Sequence, residues 1–311
     1  RASPFEPGLT AVRRAANSGM VGNGRLIIVS LSQPPDPRSL GGFELRPLCA
    51  FETNDGLFDC GWSDTSAEIL VSASGDGALR LHSLVEPGNR PIAAFLEHSA
   101  EAAGVGWNLV HKGTFASCSW DCTLKLWAPE RAASLMTLAG HADAVHGVAW
   151  SPHHADQLLS ASADGSVRMW DPKAGPEPMM AAQLRAEVLA VDWAKYDPHA
   201  FASCGADRLV ALWDVRSLDK PVAMLAAHDS AVSCTRWSPH APSVLMSASY
   251  DATVCLWDRA QAAHPLLARR THHTDMVRAA EFSLFQPGLQ LSCGWDNTLI
   301  ATRIDAQPPA R

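Results

Sequence analysis

Gly140-His141, Trp150-Ser151-Pro152, Ser160-Ala161-Ser162-Ala163-Asp164-Gly165 and Trp170-Asp171 follow one another within a single short stretch. His141 stands nine residues before Trp150 and 23 before Asp164, and Asp164 stands six before Trp170. The same template fits elsewhere. His98, His228 and His273 are each followed 23 residues later by Asp121, Asp251 and Asp296, while Thr53 and Leu184 hold the His place before Asp76 and Asp207. A Ser stands four residues before each of the six aspartates: Ser72, Ser117, Ser160, Ser203, Ser247 and Ser292. Six units recurring every 43 to 45 residues are a built repeat.

Each unit reads as strands. Val145–Trp150, Gln157–Ser162 and Val167–Trp170 are short apolar or alternating runs, the last two joined by an Asp164-Gly165 turn, and Ser134–Leu138 supplies a fourth before the next Gly-His. A four-stranded sheet cannot bury both faces alone, so such units pack face to face in a ring, with the closing Trp as the packing surface. A repeat of this length with a Gly-His opening and a Trp-Asp ending signals an all-β, seven-bladed β-propeller and resembles the WD40-repeat family. The expected blades are near 1–52, 57–96, 102–138, 145–184, 188–225, 232–268 and 277–304, forming one domain over 1–311.

Ser, His and Asp together suggest a hydrolase triad, but an enzyme needs one nucleophile and not six. A buried Asp needs donors, which a Ser hydroxyl, an imidazole and an indole can supply. The expectation is therefore a structural network in each blade, without its His at Thr53 and Leu184. No catalytic residue and no enzyme activity is expected.

The first blade is divergent. Ala2-Ser3-Pro4 aligns with Trp150-Ser151-Pro152, Leu9–Ala16 and Leu26–Leu31 read as strands, and Gly22-Asn23-Gly24 matches the Asp turn. The chain thus enters inside a motif, and a truncated first blade without its first strand is expected. Residues 32–43 read as a Pro/Gly-rich loop between blades. In the last blade Phe282 and Thr302 replace the two tryptophans, and the few residues after Ile304, with Pro308-Pro309 among them, cannot supply an outer strand.

A net charge of −7 disfavours nucleic acid and suits a basic ligand. The composition is 47% hydrophobic and 18% charged, as in a globular protein with a sizeable core, and no run approaches a membrane-spanning length. The eight cysteines include no Cys-x-x-Cys pair, which points away from zinc and disulfides and toward a reducing compartment. No metal or cofactor is expected.

A narrower resemblance rests on Asn54-Asp-Gly-Leu-Phe-Asp59 before Trp62, Ser74-Gly-Asp-Gly77, Ser119-Trp-Asp121, Lys125-Leu-Trp127, Ser249-Tyr-Asp251, Asp275–Phe282 and Gly294-Trp-Asp296. These look like the receptors for the type 2 peroxisomal targeting signal, from Ser3 to Ile304. The resemblance implies a receptor shuttling between cytosol and peroxisome matrix. It would bind an N-terminal amphipathic presequence of the type Arg/Lys-Leu/Val/Ile-x5-His/Gln-Leu/Ala, with a co-receptor, and deliver folded cargo to a docking complex at the peroxisomal membrane.

In a propeller, residues just before each Asp, and three and five after each His place, ring the channel mouth. Those positions hold Phe58, Trp120, His146, Leu189, Tyr250 and Trp295, with Glu101 and Glu187 on the rim and Asp55 beside them. These nine are the candidate peptide-binding residues: an apolar floor for the ligand's Leu and an acidic arc for its basic residue. Arg278 lies on the same ring and would repel a basic group, which places the favourable region on the opposite side. Trp213-Asp214-Val215-Arg216 also matches the Trp-Asp-x-Arg box of cullin-type ubiquitin ligase adaptors, and a generic interaction scaffold is a further alternative.

Overall fold

The computed structural model describes residues 1–15, 23–32, 43–85 and 90–303. Most of the 32–43 loop, Gly22 and the segment from Ile304 onward lie outside the described residues. Seven antiparallel sheets follow one another along the chain, five of four strands and two of three. Blade 4 is representative: Val145–Trp150, Leu158–Ser162, Ser166–Trp170 and Pro178–Gln183 pair in sequence order from the channel outward. Blades 2, 3, 5 and 6 repeat this plan, with inner strands Leu57–Trp62, Ala102–Trp107, Val188–Trp193 and Val232–Trp237.

Among the described residues, both terminal blades are three-stranded. Blade 1 contains Leu9–Ala15, Gly24–Ser32 and Glu44–Thr53, and blade 7 contains Val277–Phe282, Leu289–Gly294 and Leu299–Arg303. A trace of an inner strand exists in blade 1, where Ala2 bridges Thr10 and Ala11 N–H donates to Arg1 O at 2.9 Å. Ring closure between blades 7 and 1 is by side-chain packing, with Leu31 against Leu289 and Leu291.

The aromatic pattern explains the stacking. Trp127, Trp170 and Trp257 at the ends of third strands are wholly buried, each at a blade-to-blade interface. Tryptophans closing the inner strands reach back one blade. Their indole N–H groups donate from Trp62 to Arg1 O (3.0 Å), Trp107 to Gly61 O (3.2 Å), Trp150 to Gly106 O (3.1 Å) and Trp193 to Ala149 O (3.1 Å). The inner strands of blades 2 to 5 are thereby pinned to their predecessors in register, whereas the buried Trp237 Nε1 of blade 6 has no partner among the described residues and blade 7 has Phe282 at this place.

The network within a blade is a chain of bonds. In blade 4, Trp170 Nε1–H donates to Ser160 Oγ (2.8 Å), Ser160 meets His141 Nε2 (2.6 Å), and His141 Nδ1 meets Asp164 (2.9 Å). Since Ser160 accepts from the indole, its own proton goes to Nε2, leaving Nδ1–H to donate to the carboxylate. Burial lowers the His141 pKa, in keeping with a neutral ring. Blades 3 and 6 repeat the relay through His98 and His228, while blade 7 keeps His273 bound to Ser292 and Asp296 but has Thr302 at the place of the relay indole.

This corrects the expectation that Ser and Trp feed the Asp directly. The carboxylate instead gathers the hydroxyl and N–H of the residue two positions on. Ser166 supplies both to Asp164, at 2.6 and 2.8 Å, and Ala142 N–H adds a third bond at 3.0 Å. Burial alone would raise the Asp164 pKa, but the bonds from Ser166, His141 and the backbone hold it well below the usual carboxylate range.

Blade 2 lacks the relay His at Thr53, yet His82 fills the tryptophan place, with Nε2 2.9 Å from Ser72 Oγ. In blade 5, Trp213 still donates to Ser203 (2.9 Å), while among the described residues Asp207 accepts only from Leu209 N–H (3.1 Å).

Candidate functional site

One backbone bond repeats around the mouth. The residue before each Asp donates its N–H to the residue three after the His place: Gly75 to Gly56, Trp120 to Glu101, Ala163 to Ala144, Ala206 to Glu187, Tyr250 to Ala231 and Trp295 to Met276, all at 2.8–3.0 Å. These pairs fix the rim, so both sets of sequence positions lie on one face.

Five positions after each His place the inner strand is irregular. Its pairing with the second strand skips one residue in all six blades: Phe58, Ala103, His146, Leu189, Ser233 and Arg278. A bulge re-aims its side chain out of the alternating pattern. All six line one cavity of about 110 Å³ in the channel.

The candidate residues fall into groups. Phe58 meets Trp120 edge-on at 5.3 Å between centroids, and Trp120 meets His146 at 6.1 Å, an aromatic run across blades 2, 3 and 4. Trp120 remains 38% exposed, so its outer face is open to a ligand. Asp55 caps its own loop through Gly56 N–H (2.7 Å), and its carboxylate and Phe58 lie over Gly75, where a Cβ would meet them at 3.1 and 3.3 Å. Glu101 is half-buried and Glu187 exposed; both are held at the rim by backbone bonds. Leu189 lines the cavity. Tyr250 and the 47% exposed Trp295 stand apart from the run, on blades 6 and 7. His146 is kept below its ordinary pKa chiefly by burial, with Glu187 and Asp143 opposing and Arg278 adding to the shift.

Below the rim lies a set of charges that the sequence reading missed. Arg1 reaches Asp59 (3.1 Å) and Glu281 (3.5 Å), Arg13 reaches Asp59 (3.3 Å), and Arg236 reaches Glu281 (3.4 Å). Asp192 accepts from Trp237 N–H at 2.7 Å and from Lys195 at 2.8 Å. Burial raises the Asp59 carboxyl, but Arg1 and Arg13 outweigh it and hold the group ionised far below its ordinary range. A signal was present: Asp192, Arg236 and Glu281 each stand just before the aromatic that closes an inner strand, where Gly61, Gly106 and Ala149 stand in other blades. Among the described residues, no group of three or more His, Cys, Asp or Glu is arranged to hold a metal ion.

Seven four- or three-stranded blades ring a lined channel, and three of them carry the complete Trp–Ser–His–Asp relay; this chain is a β-propeller containing WD40 repeats. A family model described as WD domain, G-beta repeat matches residues 91–128, 132–171, 181–214 and 219–258. The chain is similar to the peroxisomal targeting signal 2 receptor of Dictyostelium discoideum, 40% identical over 128 residues, which is 41% of this chain and 38% of that protein. It is similar likewise to the receptor of the same name from Saccharomyces cerevisiae, 38% identical over 136 residues (44% of this chain, 34% of that one), and from Homo sapiens, 36% identical over 144 (46% and 42%). The match therefore spans about two fifths of these relatives' length.

Proposed function

We propose that this protein is a cargo receptor for N-terminal type 2 peroxisomal targeting signals, binding the presequence as an amphipathic helix across the Asp-turn mouth of the propeller. The observation that carries the reading is the open aromatic run of Phe58, Trp120 and His146 beside Glu101, Asp55 and Glu187. An apolar floor edged by carboxylates complements a helix with leucine on one face and a basic residue beside it. The names of the relatives support the same ligand. In this reading the protein acts without catalysis. It works with a co-receptor, and the complex docks at the peroxisomal membrane and shuttles between cytosol and peroxisome matrix.

Nothing in the geometry favours a ligase adaptor. The Arg216 guanidinium of the Trp-Asp-x-Arg box is engaged by its own Asp214. The test is a titration of the folded chain with a labelled presequence peptide of the pattern Arg-Leu-x5-His-Leu. Saturable binding that is lost when the peptide's Arg and first Leu become Glu and Ser supports the reading, and absence of binding to the parent peptide overturns it.

A further inference from the structure

The channel cations are not alike. Arg1, Arg13 and Arg236 each lie within 3.5 Å of a carboxylate. Arg278 lines the same cavity, occupies the bulge position of blade 7 and is half-buried. Among the described residues its guanidinium bonds only a neutral group, the Tyr250 hydroxyl, at 3.3 Å. Tyr250 is the rim residue of the neighbouring blade, held by its N–H on Ala231 O at 3.0 Å. The other small polar group at this side, Ser233, commits its one hydroxyl proton to the Val277 carbonyl at 2.6 Å, with the Ala248 carbonyl at 3.1 Å as the alternative acceptor, and has none to spare. A guanidinium fork with a phenol beside it is a donor set suited to one carboxylate.

We propose that Arg278 and Tyr250 form a carboxylate subsite of the mouth, taking an acidic side chain of the bound segment while the acidic arc of blades 2, 3 and 5 takes its basic residue. The proposal rests on the cargo-receptor reading and adds a second determinant of specificity to it. The ligand is thereby a segment of mixed charge, positive at one end and negative where it passes blade 7. What a basic ligand meets at Arg278 as repulsion becomes selection for a Glu or Asp at one place along the peptide.

The experiment is a scan by fluorescence anisotropy. Labelled peptides of the Arg-Leu-x5-His-Leu pattern, extended by three residues, carry a single Glu or Gln at each non-pattern position in turn. At one position Glu should bind the parent about tenfold more tightly than Gln. Arg278→Gln should abolish that preference while leaving the Gln peptides unchanged, and Tyr250→Phe should reduce it. Arg278→Glu should reverse it in favour of a Lys peptide. Circular dichroism and the Gln-peptide affinity report whether each variant is folded. If Gln peptides bind the parent and no position prefers Glu, or if the preference survives Arg278→Gln, the subsite is wrong and the receptor reading stands. If no peptide binds the parent, the receptor reading and the subsite fall together.

Discussion

Replacing Asp164 with alanine should destabilise the propeller far more than the same change at Asp207, although both stand at the same place in their blades. Asp164 accepts from His141 Nδ1–H, Ala142 N–H, and the N–H and hydroxyl of Ser166. Ala142 is exposed, so its N–H regains water in the variant, whereas His141 and Ser166 are 7% and 2% exposed. Ser166 Oγ lies 3.3 Å from His141 Nδ1 and recovers part of one bond. Roughly two buried donors remain orphaned at about 1–3 kcal/mol each, a loss of about 2–5 kcal/mol. In blade 5 only the Leu209 N–H is released, at a cost of about 1 kcal/mol. The assay is urea unfolding of both variants at pH 7. The Asp164 pKa is depressed in the folded state, so its contribution is present above about pH 4 and fades as the pH falls through the folded value; the gap should therefore narrow in acid. Equal losses for Asp164→Ala and Asp207→Ala at neutral pH would refute the relay as the source of blade stability.

Other outcomes follow from the same geometry. His82 is wholly buried and held down to about 4, by burial first and Arg80 second, so below about pH 6.5 the unfolded chain takes up a proton that the folded chain refuses. The stability deficit of His82→Phe should accordingly shrink by roughly 1–3 kcal/mol between pH 7 and 4 in urea titrations; a constant deficit would contradict this. Cys122, Arg208, Ala252 and Asn297 hold the left-handed turn position that Gly77 and Gly165 occupy elsewhere, and Ala252 has φ 65°. Ala252→Gly should raise the thermal midpoint, by about 0.5–1 kcal/mol of stability, and a fall would count against strain at that turn. Trp120→Ala should weaken presequence binding at least tenfold with a small change in stability, since its outer face is open; unchanged affinity in anisotropy would remove it from the floor.

Much of the fold was legible because the relay needs particular residues at fixed spacing. His141, Ser160, Asp164 and Trp170 announce both the strands and the turn that joins them. The order of bonds was not legible, since spacing does not say which of Ser and His touches the carboxylate. Nor was the role of His82, an imidazole standing where other blades have an indole. The bulge that turns six side chains into the channel has no residue signature: its occupants are Phe58, Ala103, His146, Leu189, Ser233 and Arg278. They were found by counting from the His place and not from their chemistry. The Arg1, Asp59, Arg236 and Glu281 cluster joins residues up to 280 apart in sequence, which no local pattern conveys.

If the acidic arc at the mouth receives the basic residue of a presequence, a charge-swap cycle between Glu101 and that residue shows coupling. Parent and Glu101→Lys are each titrated with the Arg-Leu-x5-His-Leu peptide and with its Arg→Glu counterpart. A charged hydrogen bond contributes about 1.5–3 kcal/mol, so either single change should weaken binding roughly ten- to a hundredfold, and the double change should recover part of the loss. Thermal midpoints should stay within about two degrees, because a rim residue supports no core. Parent-like affinity of Glu101→Lys for the Arg peptide, with no coupling in the cycle, would contradict the claim and place the ligand elsewhere on the ring.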